Sequence, residues 1–508
     1  MENKLTKKYG LITAICMVVG IVIGSGIFFK AQNILEATKG NVWFSVLAWA
    51  IGGIVMVICA SQFAVMATKY SKVNGVVDYA EETCGSRYAY YVGWFATTIY
   101  YPAMTSVLAW VSARYFGELI GWNLAGPQVL ALAGFFLIGS YVLNTFSPKI
   151  AGYFQVSTTV IKLIPLLLMA IVGVIAGFAT GTLTDNFAGN VDIILDKVDP
   201  KSAGGPELFA GVCATAFAYE GWIIATSINS EIKNAKRNLP LALLLGSIIV
   251  VAIYILYNIG VAGGADVGTL IGKGATTAFT NIFGAVGGAI LSLFVVISCL
   301  GTLNGLMVGC TRGMYSIATR NEGPKPEMFK QIDASTNMPT NSSIFGLLVC
   351  AIWLLYFYGA NLNTANWTPI YDPITDKLIK YEIMNNGTPW FGLFSFDSSE
   401  LPIITIYGMY IPMLVMWIIK EKDLGVFKRF VLPILAIVSC LFLVFVAVYA
   451  HGITPFLKAQ AEGKFSFPVL FYLIIYAVIM GVGFLFSKDF KKIIKKKKNK
   501  VETLKTEE

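Results

Sequence analysis

The residues that could do chemistry in this chain are few, and the costliest of them stand inside apolar runs. Glu220 lies in Ala214-Thr215-Ala216-Phe217-Ala218-Tyr219-Glu220-Gly221-Trp222, and Lys162 in Thr159-Val160-Ile161-Lys162-Leu163-Ile164-Pro165. A charge at the centre of a membrane helix costs about 2.5–3.5 kcal/mol on insertion scales, so such residues face protein or a wet cavity. A third stretch, Gly20-Ile21-Val22-Ile23-Gly24-Ser25-Gly26-Ile27-Phe28-Phe29, puts three glycines within seven residues of an apolar run. Each costs a helix about 1 kcal/mol relative to alanine. Two readings fit. One is a break at Gly24-Ser25-Gly26 with free N–H groups aimed into a cavity, where a helix N-terminus favours an anion. The other is close helix packing through Gly20 and Gly24 in G-x-x-x-G spacing.

Glu220 followed at once by Gly221 suggests a second break, five spans after the first. Paired interruptions in two halves of a chain mark substrate sites built from inverted repeats, and this pairing favours the first reading. The two breaks complement each other. N–H groups after Ser25 can hold a carboxylate, and freed carbonyls near Val22 and Phe217 can hold an ammonium. A zwitterionic α-amino acid carries one of each. Phe217 is large enough to close over such a ligand, although packing is the commoner fate of a phenylalanine in a span. Lys162 has about ten residues of its span before it, too many for snorkelling to an interface. It reads as an inward ammonium tying the fifth span to the broken first, either in the place of a coupling sodium ion or as a structural pair.

Other chemistries have little to stand on. The eight cysteines, Cys16, Cys59, Cys84, Cys213, Cys299, Cys310, Cys350 and Cys440, lack metal-ligand spacing. None falls in a loop placed outside, so no disulfide framework is expected. The sole histidine, His451, follows an apolar segment and reads as an interfacial residue; no metal site and no cofactor are expected. No nucleophile–base pair stands out, and the chain is not read as an enzyme.

The elements that must position these residues are membrane helices. Of 508 residues, 56% are hydrophobic and 13% charged, with a mean hydropathy of +0.69; an ordinary soluble domain has about 25% charged residues. Apolar runs of membrane-crossing length predict twelve spans at roughly 9–33, 41–68, 87–117, 127–146, 152–180, 206–229, 239–262, 284–318, 341–359, 401–420, 429–450 and 466–486. The third and eighth exceed a bilayer's thickness and should tilt or project. With the N-terminus in the cytoplasm, about 26 lysines and arginines fall inside and about 8 outside, which sets the orientation. The net charge of +9 is concentrated in the run from Lys488 to Lys500, read as a tail at the anionic inner leaflet rather than a nucleic-acid site. No cleavable signal peptide is seen. The loop 360–400, with Trp367, Tyr371, Trp390 and Phe391, either packs over the mouth of the protein or is a surface elaboration.

These motifs resemble the amino acid–polyamine–organocation (APC) superfamily of permeases, and within it the L-type amino acid transporter branch. Gly24-Ser25-Gly26-Ile27-Phe28 is similar to the family's first-helix signature, and Phe217-Ala218-Tyr219 with Gly221-Trp222 to its sixth. Glu231-Ile232-Lys233-Asn234 with Arg237-Asn238-Leu239-Pro240 is similar to the following loop; Gly301, Asn304-Gly305, Arg312, Tyr79, Gly85 and Gly93-Trp94 also fit. The likeness covers about residues 8–330. It implies an all-α polytopic membrane protein with a leucine-transporter-like fold of 12 transmembrane helices, two inverted five-helix repeats plus two helices. The corresponding parts would be a cytoplasmic tail 1–8, a first repeat 9–180, a second repeat 206–420, two further helices within 429–486, and a basic cytoplasmic tail 487–508. It further implies substrate contacts from Val22, Gly24, Ser25, Gly26, Ile27, Phe217, Ala218 and Glu220, a gate at Phe217, and Lys162 where sodium-coupled relatives bind an ion. Tyr100, Tyr101, Met104, Ser298 and Tyr407 are candidate liners.

Two departures bear on function. Glu220 stands where several L-type members have glycine, so an acid there could pair with a cationic substrate or take part in proton movement. The loop 118–126 has no cysteine, so no disulfide-linked heavy subunit is expected. The reading is therefore a secondary amino acid transporter working by alternating access, a sodium-independent exchanger or proton-linked permease, in a plasma membrane that the composition suggests is bacterial. A polyamine or amine antiporter and a non-transporting amino acid sensor are the competing readings.

Overall fold

The computed structural model describes residues 10–70, 75–122, 127–190, 198–225, 232–336, 338–361, 367–371, 378–383, 389–490 and 492–493. Its first span is two helices, α1 (Leu11–Val22) and α2 (Gly26–Ala37). α3 (Val42–Lys69) is the second span; the Asn41 side chain caps it, accepting from the Phe44 N–H at 2.9 Å. After the short α4 (Val76–Cys84), the third span is α5 (Ser86–Phe95), a π turn at Ala96–Tyr100 and α6 (Tyr101–Leu119). α7 (Pro127–Phe146) is the fourth span. The fifth is built of α8 (Pro148–Ile161), α9 (Leu163–Leu168), a π turn at Met169–Gly173 and α10 (Val174–Thr180), with α11 (Thr182–Ala188) beyond it.

The sixth span is again two pieces, α12 (Gly205–Ala218) and α13 (Trp222–Ala225). α14 (Ala235–Gly264) follows as the seventh, then the short α15 (Val267–Lys273). α16 (Ala275–Ala318) carries the eighth span, which begins at a bend where Gly284 has φ 75°. Beyond α17 (Pro326–Phe329), the ninth and tenth spans are α18 (Thr340–Ala360) and α19 (Leu401–Lys420). The eleventh runs through α20 (Leu432–Val448), a π turn at Tyr449–Ile453 and α21 (Thr454–Ala461), and α22 (Pro468–Leu485) is the twelfth. Proline stands in the first turn of α8, α19 and α22, where its missing N–H costs nothing.

Among the described residues, nine helical stretches are long and apolar enough to cross a membrane. The spans outside that set are the first, third and sixth, and all three are interrupted. Outside the helices, the described residues hold one antiparallel ribbon, β1 (Trp367–Tyr371) and β2 (Leu378–Ile383), with Trp367 opposite Ile383. It belongs to the loop 360–400; the side chains of Trp367 and Tyr371 lie outside the described residues. Trp390 and Phe391 do pack on the bundle. The Trp390 N–H donates to Gly359 O at 3.0 Å, and the Phe391 ring stacks on Tyr356 with centroids 5.7 Å apart. Both tails, and residues 123–126 of the loop read for a missing cysteine, fall mostly or wholly outside the described residues. All eight cysteines are free.

The fifth and seventh spans show where small-residue packing is used. A Cβ on Gly173 would lie 2.5 Å from Gly260 O, and one on Gly177 2.4 Å from Gly263 Cα. Glycines four apart thus let two backbones touch. α14 crosses behind both broken spans, and its Tyr254 ring packs against Trp49 and Tyr219 at centroid distances of 5.4 and 5.2 Å.

Candidate substrate site

The first span breaks because the chain leaves helical geometry at Ile23 (ψ 99°) and re-enters with Ser25 as the cap residue of α2. The first N–H groups of α2 then have no acceptor within their own helix. The break also frees the carbonyl of Gly20, whose helical partner would be the Gly24 N–H. That carbonyl is taken by Lys162, whose Nζ donates to Gly20 O at 2.6 Å. Lys162 is 3% exposed and sits at the joint between α8 and α9. The inward ammonium expected from its position in the span is therefore present, tied to the first break.

The sixth span breaks at Tyr219-Glu220-Gly221. Gly221 has φ 106°, a region that residues with a Cβ adopt only at a cost. Aromatic side chains hold the pieces in place. The Tyr219 hydroxyl donates to Trp49 O at 2.8 Å and Trp222 Nε1 donates to the Tyr407 hydroxyl at 2.9 Å. The hydroxyl of Tyr254 lies 3.2 Å from both Val22 O and Ala218 O. One α14 side chain thus bridges a freed carbonyl from each break.

The two breaks meet directly. A Cβ on Gly26 would lie 2.5 Å from Ala218 Cα, so glycine is needed for the half-helices to touch there. Around this contact is a cavity of about 230 Å³ lined by Val22, Gly24, Ser25, Gly26, Tyr100, Met104, Leu108, Gln155, Lys162, Phe217, Ala218, Glu220, Gly221, Thr302, Gly305 and Leu306. Its polar lining is of two kinds: the N-terminus of α2 and the Lys162 amine suit an anion, and the Glu220 carboxyl suits a donor or a cation. Glu220 Oε1 accepts from the Tyr100 hydroxyl. Its Oε2 is buried with no hydrogen-bond partner among the described residues. An acceptor left this way in a low-dielectric pocket costs free energy until a donor arrives.

Of the residues singled out from sequence, Val22, Gly24, Ser25, Gly26, Phe217, Ala218, Glu220 and Lys162 all border the cavity, as do Tyr100 and Met104. Ile27 does not: its side chain is fully buried in the core behind the first turn of α2. Tyr101, Ser298 and Tyr407 do not border it either. The Tyr101 ring packs where Gly309 leaves room, and Tyr407 is engaged by Trp222. Sequence reasoning missed Leu108, Gln155, Thr302 and Leu306, which reach the cavity from α6, α8 and α16, and Tyr254 behind it.

On one side of the cavity, Phe217 separates it from a buried charge cluster. Lys30 Nζ lies 5.7 Å from the Phe217 ring centroid. It donates to Glu400 Oε1 at 2.5 Å and to Ser399 Oγ at 2.9 Å, and lies 3.6 Å from Asp397 Oδ2. His451 Nε2 is 2.8 Å from Glu400 Oε2. The residue read as interfacial is thus part of an ion-pair cluster joining α2, the start of α19 and the π turn at Tyr449–Ile453.

Helices of membrane-crossing length around a polar cavity, with two helices broken face to face, have the form of a polytopic membrane transporter. The chain belongs to the amino acid permease family, whose profile matches residues 9–484. Its fold is accordingly the leucine-transporter-like one of the APC superfamily, and amino acid transport is its activity. Among its relatives, the serine/threonine exchanger SteT of Bacillus subtilis (strain 168) is 29% identical over 357 residues, 70% of this chain and 78% of that one. The human b(0,+)-type amino acid transporter 1 is 27% identical over 361 residues, 70% of this chain and 71% of that protein. The human cystine/glutamate transporter is 26% identical over 341 residues, covering 66% and 65%.

Proposed function

We propose that the protein exchanges α-amino acids across a plasma membrane by alternating access, without sodium, with both termini in the cytoplasm. The observation that carries this reading is the direct meeting of two helix breaks on one cavity. The substrate carboxylate is held by N–H groups around Ser25, Gly26 and Ile27, at the positive end of α2. The ammonium is held by carbonyls near Val22 and Phe217 and by the region of Glu220. Lys162 supplies the fixed cation that a bound sodium ion would otherwise supply. Phe217 forms the gate on the side of the Lys30 cluster. Residues 9–180 and 206–420 act as the two inverted repeats, each contributing one broken helix. One of the relatives named above is called a serine/threonine exchanger, which supports exchange.

The test is uptake of labelled alanine, serine, leucine, arginine, glutamate and putrescine into proteoliposomes in sodium-free buffer, with and without unlabelled compound inside. Uptake of an amino acid that requires internal substrate supports the reading. Uptake without internal substrate points to proton linkage, and putrescine alone to an amine antiporter. Binding without movement of any solute would make the protein a sensor.

A second reading of substrate class rests on Glu220 Oε2, an unpaired acceptor at the cavity wall. It fits a cationic side chain or a carried proton. Glu220→Gln keeps an acceptor for the Tyr100 hydroxyl and removes the charge. It is expected to weaken arginine uptake relative to alanine, or to flatten the pH dependence of uptake. Identical selectivity and pH profiles in the two proteins would remove Glu220 from both roles.

A further inference from the structure

A second cavity, of about 540 Å³, lies between α2, α12, the π turn at Tyr449–Ile453 and α21. Glu400 and His451 form part of its wall. Next to them, Cys213 points from α12 into the same place. The thiol Sγ, a carboxylate oxygen of Glu400 and a ring nitrogen of His451 all lie within 4.8 Å of one another. These residues come from the sixth, tenth and eleventh spans, so no sequence spacing announces them.

We propose that Cys213, Glu400 and His451 form an inhibitory Zn²⁺ site. Thiolate, imidazole and carboxylate are the donor set this borderline ion takes. With Zn–S at about 2.3 Å and Zn–N and Zn–O at about 2.0–2.1 Å, ligand atoms of a tetrahedral ion stand roughly 3.3–3.6 Å apart. His451 Nε2 and Glu400 Oε2 are already 2.8 Å apart, so the pair need open by only about half an ångström to admit the ion. Glu400 and His451 border the cavity, which gives the ion an entry path and room for a water as a further ligand. Lys30 does not occupy the site: its ammonium is bonded to Glu400 Oε1, the oxygen turned away from His451. Its positive charge does weaken the site, so reversible binding is expected rather than a permanent structural metal.

Binding forms only metal–ligand bonds. The ion takes the place of the proton between Nε2 and Oε2, so the neutral imidazole carries its proton on Nδ1, and the thiol proton passes to water. The consequence is mechanical. α12 is one half of a broken span and ends at the substrate cavity. A metal bond from Cys213 to Glu400 and His451 pins it to α19 and to the eleventh span, so the two arrangements that transport requires cannot interchange. The binding part of this inference is independent of the transport reading.

The test uses the full chain. In proteoliposomes treated with chelator, micromolar ZnCl₂ is expected to inhibit uptake reversibly, with MgCl₂ without effect. Cys213→Ser and His451→Gln are each expected to raise the inhibitory concentration by about tenfold or more. In detergent, Co²⁺ added to the native protein is expected to give a thiolate-to-cobalt charge-transfer band that Cys213→Ser lacks; this readout needs no transport. Inhibition equal in native and Cys213→Ser proteins, or absence of the band with Co²⁺ bound, would overturn the proposal, as would failure of either ion to bind.

Discussion

Gly26→Ala isolates the contact on which the site depends. The added Cβ would stand 2.5 Å from Ala218 Cα and 3.1 Å from Phe217 Cδ1. Carbon atoms need about 3.5–4.0 Å, and the atom in the way is backbone, which no rotamer change can move. The half-helices α2 and α12 must therefore separate by about 1 Å. Overpacking of this size costs about 1–3 kcal/mol, so the variant should still fold, with a lowered Tm. The same shift carries an N–H of α2 from about 2.9 Å to about 3.9 Å from a bound carboxylate oxygen, outside hydrogen-bonding range. A hydrogen bond to a charged group is worth about 1.5–3 kcal/mol, which is roughly a 10- to 150-fold rise in Kd. The assay is equilibrium binding of the preferred labelled amino acid in detergent, beside thermal unfolding without substrate. Gly24→Ala is the internal control. Its Cβ meets only the Thr302 side chain, at 3.2 Å and 3.3 Å, which can turn aside, so a much smaller change is expected. Equal Kd for Gly26→Ala and the native protein, in a sample with normal unfolding, would refute the reasoning.

Lys162→Met removes the 2.6 Å bond to Gly20 O and leaves that buried carbonyl unpaired, at a cost of about 1–3 kcal/mol. Exchange should be lost while protein yield persists, and exchange by the native protein should be the same in sodium and choline buffers; full exchange by Lys162→Met would reduce the lysine to a filler. Lys30→Met strips Glu400 of its closest cation, and breaking a buried pair costs about 3–5 kcal/mol. Tm should fall markedly and recover in Lys30→Met/Glu400→Met, whereas equal Tm values would show that the cluster carries no net coupling. Phe217→Ala should impair transport more than yield, since it opens the wall between the cavity and the Lys30 cluster; unchanged kinetics would leave Phe217 as packing alone.

What could be read from sequence here was whatever carries its cost locally. A carboxylate beside a glycine in an apolar run is expensive wherever it folds, so Glu220 announced both a break and a wet site. Gly24, Ser25 and Gly26 did so because glycine-rich helix in hydrocarbon needs a reason, and Lys162 because a charge ten residues into a span needs a partner. The partner itself, Gly20 O, was not legible, since a carbonyl is free only once its helix has stopped. Residues cheap in any environment left no mark. Gln155 and Thr302 reach the cavity, while Ser298, four residues before Thr302 on α16, does not. Nothing in their composition separates them: Ser298 and Thr302 lie a turn apart on one face of α16, and which turn meets the cavity is set by how α16 packs on α8, where Gly301 receives Thr158. Tyr254 looked like any interior tyrosine, yet its hydroxyl reaches both broken helices. The Cys213, Glu400 and His451 cluster is the extreme case. Each residue alone has an ordinary explanation, as a buried thiol, a helix-start acid and an interfacial histidine. Ligand spacing in sequence detects sites made within one element. A bundle assembled from three distant spans makes its sites after folding, and there the donor atoms meet without any motif to foretell them.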